Sequence, residues 1–477
     1  MIGTDQIAKR PSADLLCLVA ATVIGATAAI ASPALAFGLA IFGGLAAVSL
    51  IRLSLSWVLF LIIAPWAGLA NVLAGGRLVA LGLDLFLILC TGLLLLGRDR
   101  VRIESDRSLS VANLGLWLVL VIGLTGILNP KGLALLGAME GFRAFFLPIL
   151  GLFAGYNIVK RNPRMDSTIL TTLVIACCLV AAMGIRQALS PAPLDMAIIT
   201  NSQTNIMPFQ VTGTNRLRAF SPLPGPFHFG LLMMCGLLIL FARMQHRMQL
   251  SHLAALPLLL VATALNATRL NWFGIAVGAV TLSLVSLDTV RLRRWLVRTA
   301  TMLVGTSITL LLVLTLDILQ PIRSFALSLI DPTTSTSFIF RVAGWRYDIL
   351  PAILAHPWVG YGTGMAKDGL GPYTSHNLLL KLLIEGGVTL FSAYLVAVVA
   401  ITVALVRRRE HLGARLGLAL LVGVHAAGML GPILDAYPGN LFVWLLLGAA
   451  LNLEPSIPAQ TLQGTSSGEQ AFSVLGT

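Results

Sequence analysis

Apolar residues fall in long unbroken runs separated by short, mostly basic stretches. The runs cover about 14–31, 34–51, 55–73, 78–97, 109–128, 144–159, 167–189, 227–242, 252–267, 271–287, 299–317, 377–406, 414–431 and 440–453. Most exceed the length of a strand, and they lack the period-two alternation of a half-buried one. About 20 apolar residues cross a bilayer as a helix, which satisfies its own backbone polar groups in hydrocarbon. The pattern predicts an all-α polytopic membrane protein with 12–14 transmembrane helices. The short run 252–267 and the pair around Asp435 set the range in that count.

Composition agrees with the pattern. Of 477 residues, 57% are hydrophobic and 11% charged, and the mean hydropathy is +0.90. A soluble domain carries roughly a quarter charged residues. Disorder, a secreted disulfide scaffold and an ordinary cytosolic enzyme are excluded. Cys17, Cys90, Cys177, Cys178 and Cys235 sit inside apolar runs without metal-type spacing and read as small core residues.

The net charge of +13 gains its meaning from its geography. With the N-terminus inside, alternation places Lys9, Arg10, Arg52, Arg98, Arg100, Arg102, Arg107, Lys160, Arg161, Arg164, Arg243, Arg247, Arg291, Arg293, Arg294, Arg298, Arg407, Arg408, Arg409 and Arg415 on inner loops, 20 of the 32 basic residues. That asymmetry satisfies the positive-inside rule, so no nucleic acid is needed to explain it. Lys9 and Arg10, an apolar stretch and Ala34-Leu35-Ala36 are similar to a cleavable signal, but the next span follows at once and favours an uncleaved first helix.

The expected organisation is N-terminal spans over 1–189, a first outer loop over 190–226, central spans over 227–317, a large outer loop over 318–375, C-terminal spans over 376–455 and a disordered tail over 456–477. Loops this long between spans are functional or disordered. Within the second, Phe338 to Leu354 reads as an amphipathic helix at the outer surface, followed by a tight turn at Pro357, Gly360, Gly362 and Gly364.

Candidate chemistry gathers on the outer side. Ser375 or Thr374 is expected to cap the helix that starts there, with His376 in its first turn. The positive helix end would lower the His376 pKa and leave a neutral imidazole suited to general-base work; a capping role is the alternative. Arg216 and Arg218, spaced by two on an extended segment, would point the same way. Arg269 lies in a short turn, and Arg341 and Arg346 in the second loop. Few acids are at hand to pair with these five arginines; Asp348, Asp368, Glu385 and Asp435 are the candidates. Guanidinium matches phosphate oxygens in a bidentate way, so a diphosphate headgroup is a natural partner, with lipid phosphate the simpler one. Trp345, Trp358, Tyr361 and Tyr373 suit an interfacial belt or a sugar platform. Asp84 is seven residues from Arg77 and is expected to pair within or between helices. No metal-ligand spacing, P-loop or dinucleotide fingerprint is present.

These residues form patterns that resemble the bacterial O-antigen ligase and O-antigen or exopolysaccharide polymerase superfamily. The matching stretches are Thr214-Asn215-Arg216-Leu217-Arg218 with Ser221-Pro222-Leu223-Pro224; Thr268-Arg269-Leu270-Asn271; Arg341-Val342-Ala343-Gly344-Trp345; His356-Pro357-Trp358-Val359-Gly360-Tyr361-Gly362; and Ser375-His376-Asn377 with Glu385-Gly386-Gly387. The resemblance implies a GT-C-like, inverting, metal-independent glycosyltransferase without a cofactor. Its donor would be an undecaprenyl-diphosphate-linked glycan at the outer leaflet of the bacterial inner (cytoplasmic) membrane, with the site facing the periplasm. By resemblance Arg216 or Arg218 and Arg269 would hold the diphosphate and His376 would activate the acceptor hydroxyl. Arg341, Arg346, Trp345, Trp358 and Tyr361 are further candidates for substrate contact. Leu223 stands where family members often have Asn, and Thr268 where they often have Ser. The acceptor stays open between another lipid-linked glycan, a lipid A core and a protein hydroxyl, and a chain-length regulator is a further expected partner. The alternative is a lipid-linked glycan transporter or flippase.

Overall fold

The computed structural model describes residues 33–73, 79–96, 107–129, 131–202, 209–210, 217–246, 248–286, 336–367 and 369–452. Among these the secondary structure is helical apart from one isolated antiparallel bridge, Gln210 to Leu217. The helices are α1 (Pro33–Ile51), α2 (Leu53–Leu73), α3 (Val79–Leu96), α4 (Arg107–Gly126), α5 (Leu135–Arg161), α6 (Arg164–Leu189), α7 (Pro193–Ser202), α8 (Pro226–His246), α9 (Leu250–Asn266), α10 (Arg269–Val285), α11 (Thr336–Gly344), α12 (Leu350–Ala355), α13 (Leu378–Arg407), α14 (Leu412–Gly428) and α15 (Gly439–Leu451).

Six of these, α2, α4, α5, α6, α8 and α13, are long and apolar enough to cross a membrane, and α1, α3, α9, α10, α14 and α15 hold shorter apolar helices. The chain is an all-α polytopic membrane protein. The predicted runs 14–31 and 299–317 lie outside the described residues. The run 144–159 starts earlier than expected, at Leu135, because a more polar amphipathic turn bearing Glu140 and Arg143 continues into the apolar half through a tight turn at Leu147–Ile149.

The helices approach through small residues, the usual device where lipid removes the hydrophobic drive between them. Gly274 of α10 faces the Gly423 carbonyl of α14, and Gly151 and Gly155 of α5 let the α15 backbone at Leu441 and Leu445 come close. The segments predicted to share a side also meet. Arg161 donates to Leu94 O at 3.3 Å, and Arg243 to Ser167 O at 3.1 Å. At the other end Ala219 N donates to Leu265 O at 3.1 Å, Thr363 Oγ1 to Gly123 O at 2.6 Å, and Asn377 Nδ2 to Met429 O at 3.0 Å.

Two expected elements differ in detail. The first long loop carries α7, docked where Asp195 takes both Arg186 guanidinium nitrogens at 2.6 and 2.8 Å. The stretch 338–354 is two helices, α11 and α12, joined by a π-helical turn, Trp345–Ile349. Such turns insert an extra residue and re-aim the side chains they carry.

Helix α13 is broken at Gly387, whose φ of 63° and ψ of −162° end the helical ladder. The groups freed by the break are met by the glycine-rich turn. Tyr361 N donates to Ile384 O at 2.8 Å and Gly362 N to Glu385 O at 2.9 Å. Val388 N donates to Pro357 O at 2.7 Å and Thr389 N to Trp358 O at 3.3 Å. Irregular backbone inside an apolar bundle needs such partners.

Candidate functional site

His376 stands just ahead of α13 rather than in its first turn, and the cap is neither Ser375 nor Thr374. Asn377 fills that position: its Oδ1 accepts the amides of Leu379 at 2.9 Å and Leu380 at 3.1 Å. Ser375 Oγ instead donates to Asn377 O at 3.2 Å. Asparagine at this place matches the helix geometry as well as serine does, so the hydroxyls alone misplaced the start.

The imidazole is held neutral, but not chiefly by the helix end. Burial is the larger cause, followed by the charge of Arg341, and together they pull His376 down to about 4. Arg341 is fixed by donating through Nη1 to Leu430 O at 2.5 Å. The backbone at His376 is anchored on its other side, where Trp345 Nε1 donates to Ser375 O at 2.5 Å.

The second pair of site residues is Arg218 and Arg269. Asn266 Nδ2 donates to Ala219 O at 2.7 Å and Pro226 O at 3.0 Å, which stitches the first loop to the turn before Arg269. Arg218 Nε donates to Gln210 O at 2.8 Å. Burial and the neighbouring charge of Arg269 both lower the Arg218 pKa. Two cations in one another's field make the local potential positive. Leu270 packs on Gly431, and Arg341 is held at the adjacent Leu430, so one turn adjoins both pairs. Arg216 lies outside the described residues, as do Arg77 and Asp368.

His376 and Ala267 are the two non-glycine residues with positive φ among those described, at 44° and 49°. Each lies within two residues of a candidate side chain: His376 is itself one, and Ala267 precedes Arg269 by two. Strained backbone of this kind persists where the surroundings over-determine it and tends to cluster at functional sites.

The other candidates divide. Trp345 belongs to the His376 surroundings through Ser375. Tyr361 stacks edge-on with His356 at 4.6 Å and lies 5.4 Å from the Tyr373 ring, over the glycine-rich turn. Trp358 is 70% exposed and contributes its backbone carbonyl to Thr389. Arg346 is exposed and lies over Tyr347. The structure gives neither Trp358 nor Arg346 a contact with the two pairs.

Asp84 pairs as expected, whereas Glu385 and Asp435 engage a lysine instead of the outer arginines. Asp84 pairs with Arg143 of α5, an interhelical bond. Glu385 and Asp435 both pair with Lys381, at 2.6 and 3.3 Å, and none of the three side chains is more than 8% exposed. Sequence reasoning passed over Lys381. The available signal was a lysine and a glutamate four apart inside an apolar run, where a charge is costly unless paired.

Residues 253–395 match the family model described as O-antigen ligase. This segment is similar to that family. The match supports assigning the chain to the O-antigen ligase and polymerase family, with an enzymatic ligase or polymerase role in surface polysaccharide and with a lipid-linked glycan and an acceptor as substrates. The O-antigen ligase segment contains Arg269, Arg341, Trp345, Arg346, Trp358, Tyr361, His376 and Lys381, whereas Arg218 and Asp435 fall outside it. No curated protein matches the chain.

Proposed function

We propose that the chain transfers a glycan from an undecaprenyl-diphosphate donor to an acceptor hydroxyl at the outer leaflet of a bacterial cytoplasmic membrane, with inversion and without a metal, on a GT-C-like bundle. The observation that carries this reading is the neutral His376 beside Arg341, with the segment Leu430–Gly431 touching both Arg341 and the Leu270 that follows Arg269.

His376 takes the proton of the acceptor hydroxyl as its oxygen attacks the anomeric carbon. The bond from that carbon to the diphosphate oxygen breaks, and the electron pair leaves with the diphosphate. Arg218 and Arg269, with Arg216 as a third candidate, stabilise the charge that develops there, as fixed cations do in a low-dielectric site. Attack opposite the leaving group inverts the configuration. General-base help of this kind is worth about 10²–10⁴-fold.

The acceptor is another lipid-linked glycan, a lipid A core or a protein hydroxyl; we favour the first, which makes the protein a polymerase and a chain-length regulator its natural partner. The family match lends no support to a transporter. Reconstitution in liposomes with a lipid-linked glycan and each acceptor in turn tests the reading. Transfer to one acceptor with release of undecaprenyl diphosphate is expected, undiminished by chelators. Translocation of the donor without any glycosidic product would overturn it.

A further inference from the structure

The buried triad Lys381, Glu385 and Asp435 has no part in the scheme above. Lys381 lies five residues after His376, and Asp435 five residues after Leu430, whose carbonyl holds Arg341. The stretch that presents His376 and the turn that holds Arg341 are thus tied twice: by Asn377 to Met429 O, and by Lys381 to Asp435 at 3.3 Å. The clamp is braced from both sides. Lys381 Nζ lies 5.3 Å from the centre of the Phe145 ring, and Glu385 Oε1 accepts the Ala366 amide at 3.3 Å. The cleft between Ser375, Asn377, Lys381 and Asp435 measures about 10 Å³, the space of roughly one water and far too small for a sugar ring. These charges are therefore placed to hold chain segments together rather than to bind substrate.

We propose that Lys381 is a positioning residue: its ion pair with Asp435 fixes the turn 429–435 against the start of α13 and thereby sets the Arg341 guanidinium relative to the His376 imidazole. The inference rests on the reading of His376 as the base. Displacements of about 1 Å around a reacting centre can cost on the order of 10²-fold in rate.

The test uses full-length protein in liposomes, with rates expressed per folded molecule. Asp435→Asn is the mild variant, because Lys381 and Glu385 remain a neutral pair. Removing Lys381 alone strands two buried carboxylates, so a second variant neutralises the whole triad: Lys381→Met with Glu385→Gln and Asp435→Asn. Both should lower kcat about 10- to 100-fold while leaving the donor KM and the melting temperature near wild type, and Lys381→Arg should keep most of the rate. Wild-type kcat per folded molecule in Asp435→Asn and the triple variant would overturn the proposal, as would a loss confined to folded yield. His376→Ala is measured alongside. If it keeps its rate, the base reading itself fails; if it loses transfer while the triad variants do not, only the positioning role fails.

Discussion

The amide of Val388 donates to the carbonyl of Pro357 at 2.7 Å, across the break in α13. This bond joins the two most recognisable motifs of the chain, His-Pro-x-x-Gly-x-Gly and Glu-x-Gly, and it gives most of their residues a structural task. A helix interrupted inside an apolar bundle exposes carbonyls and amides that lipid cannot satisfy. The glycine-rich turn supplies the missing partners.

Gly387→Ala should therefore be costly. Its φ of 63° strains any side chain, and an added Cβ would collide with the Trp358 backbone. The strain alone is worth about 1–3 kcal/mol, and the collision adds to it. Gly369 offers a control, since its φ of 77° is equally left-handed but a Cβ there meets nothing within 4 Å. Melting of the purified protein in detergent should fall markedly for Gly387→Ala and by no more than about 1–2 kcal/mol for Gly369→Ala. Equal effects would show that the turn is not packed against the break as described.

How far the sequence carries can be judged from particular residues. The spans were legible because continuous apolar runs have one structural solution in lipid. The position of His376 was legible only to within two residues, because Ser375 and Asn377 are both good caps and only the fold shows which one turns its side chain to Leu379. The partner of Asp84 was not legible at all. Arg143 is 59 residues away and becomes its neighbour through the packing of α3 on α5, which no local spacing encodes.

That Asp84–Arg143 pair yields a second prediction. Removing one partner of a buried pair leaves an uncompensated charge and costs about 3–5 kcal/mol; Arg143 keeps a 32% exposed side chain, so Arg143→Met should sit toward the lower end of that range. Asp84→Asn with Arg143→Gln, which strands no charge, should be milder than Arg143→Met. The comparison is read from folded yield and melting temperature. A single variant that melts like wild type would show that the bond contributes nothing to the bundle.

Orientation can be read by labelling. If the cation pair and His376 face outward, a membrane-impermeant thiol reagent applied to intact cells should modify a cysteine at Lys131 and spare one at Glu410. Both positions are exposed at the surface of the protein, and they lie toward opposite ends of α4 and α13. Labelling of the Glu410 position alone would invert the arrangement and put the proposed site on the wrong side for a lipid-linked donor.

The diphosphate role separates Arg269 from Arg218. Arg269→Ala should depress kcat/KM by about 10²–10³-fold, in line with loss of one donor to a developing anion, and Arg269→Lys should recover little because bidentate geometry is lost. Arg218→Lys keeps the charge but loses the Nε bond to Gln210 O, so its effect combines weaker anion binding with a looser loop. Near-normal turnover in Arg269→Ala, at wild-type expression, would remove the residue from the donor site.

The pH dependence tests His376 most directly. A general base works when neutral, so its contribution is complete above its pKa and is lost as pH falls through it. An unperturbed histidine would give an acid limb near 6.5, whereas burial and Arg341 place this one at about 4. Transfer should therefore hold its rate down through pH 6 and decline only as the pH nears about 4. Arg341→Gln removes the smaller of the two causes and leaves burial in place. Its acid limb should move upward, part of the way toward 6.5, and the rate at pH 5 should fall more than the rate at pH 8. His376→Gln is the control: it keeps some hydrogen bonding, and as a non-base it should lose most of the transfer and the acid limb with it. If that variant turns over at a near-normal rate with an unchanged profile, His376 caps or positions instead, and the proton of the acceptor hydroxyl must go to another group.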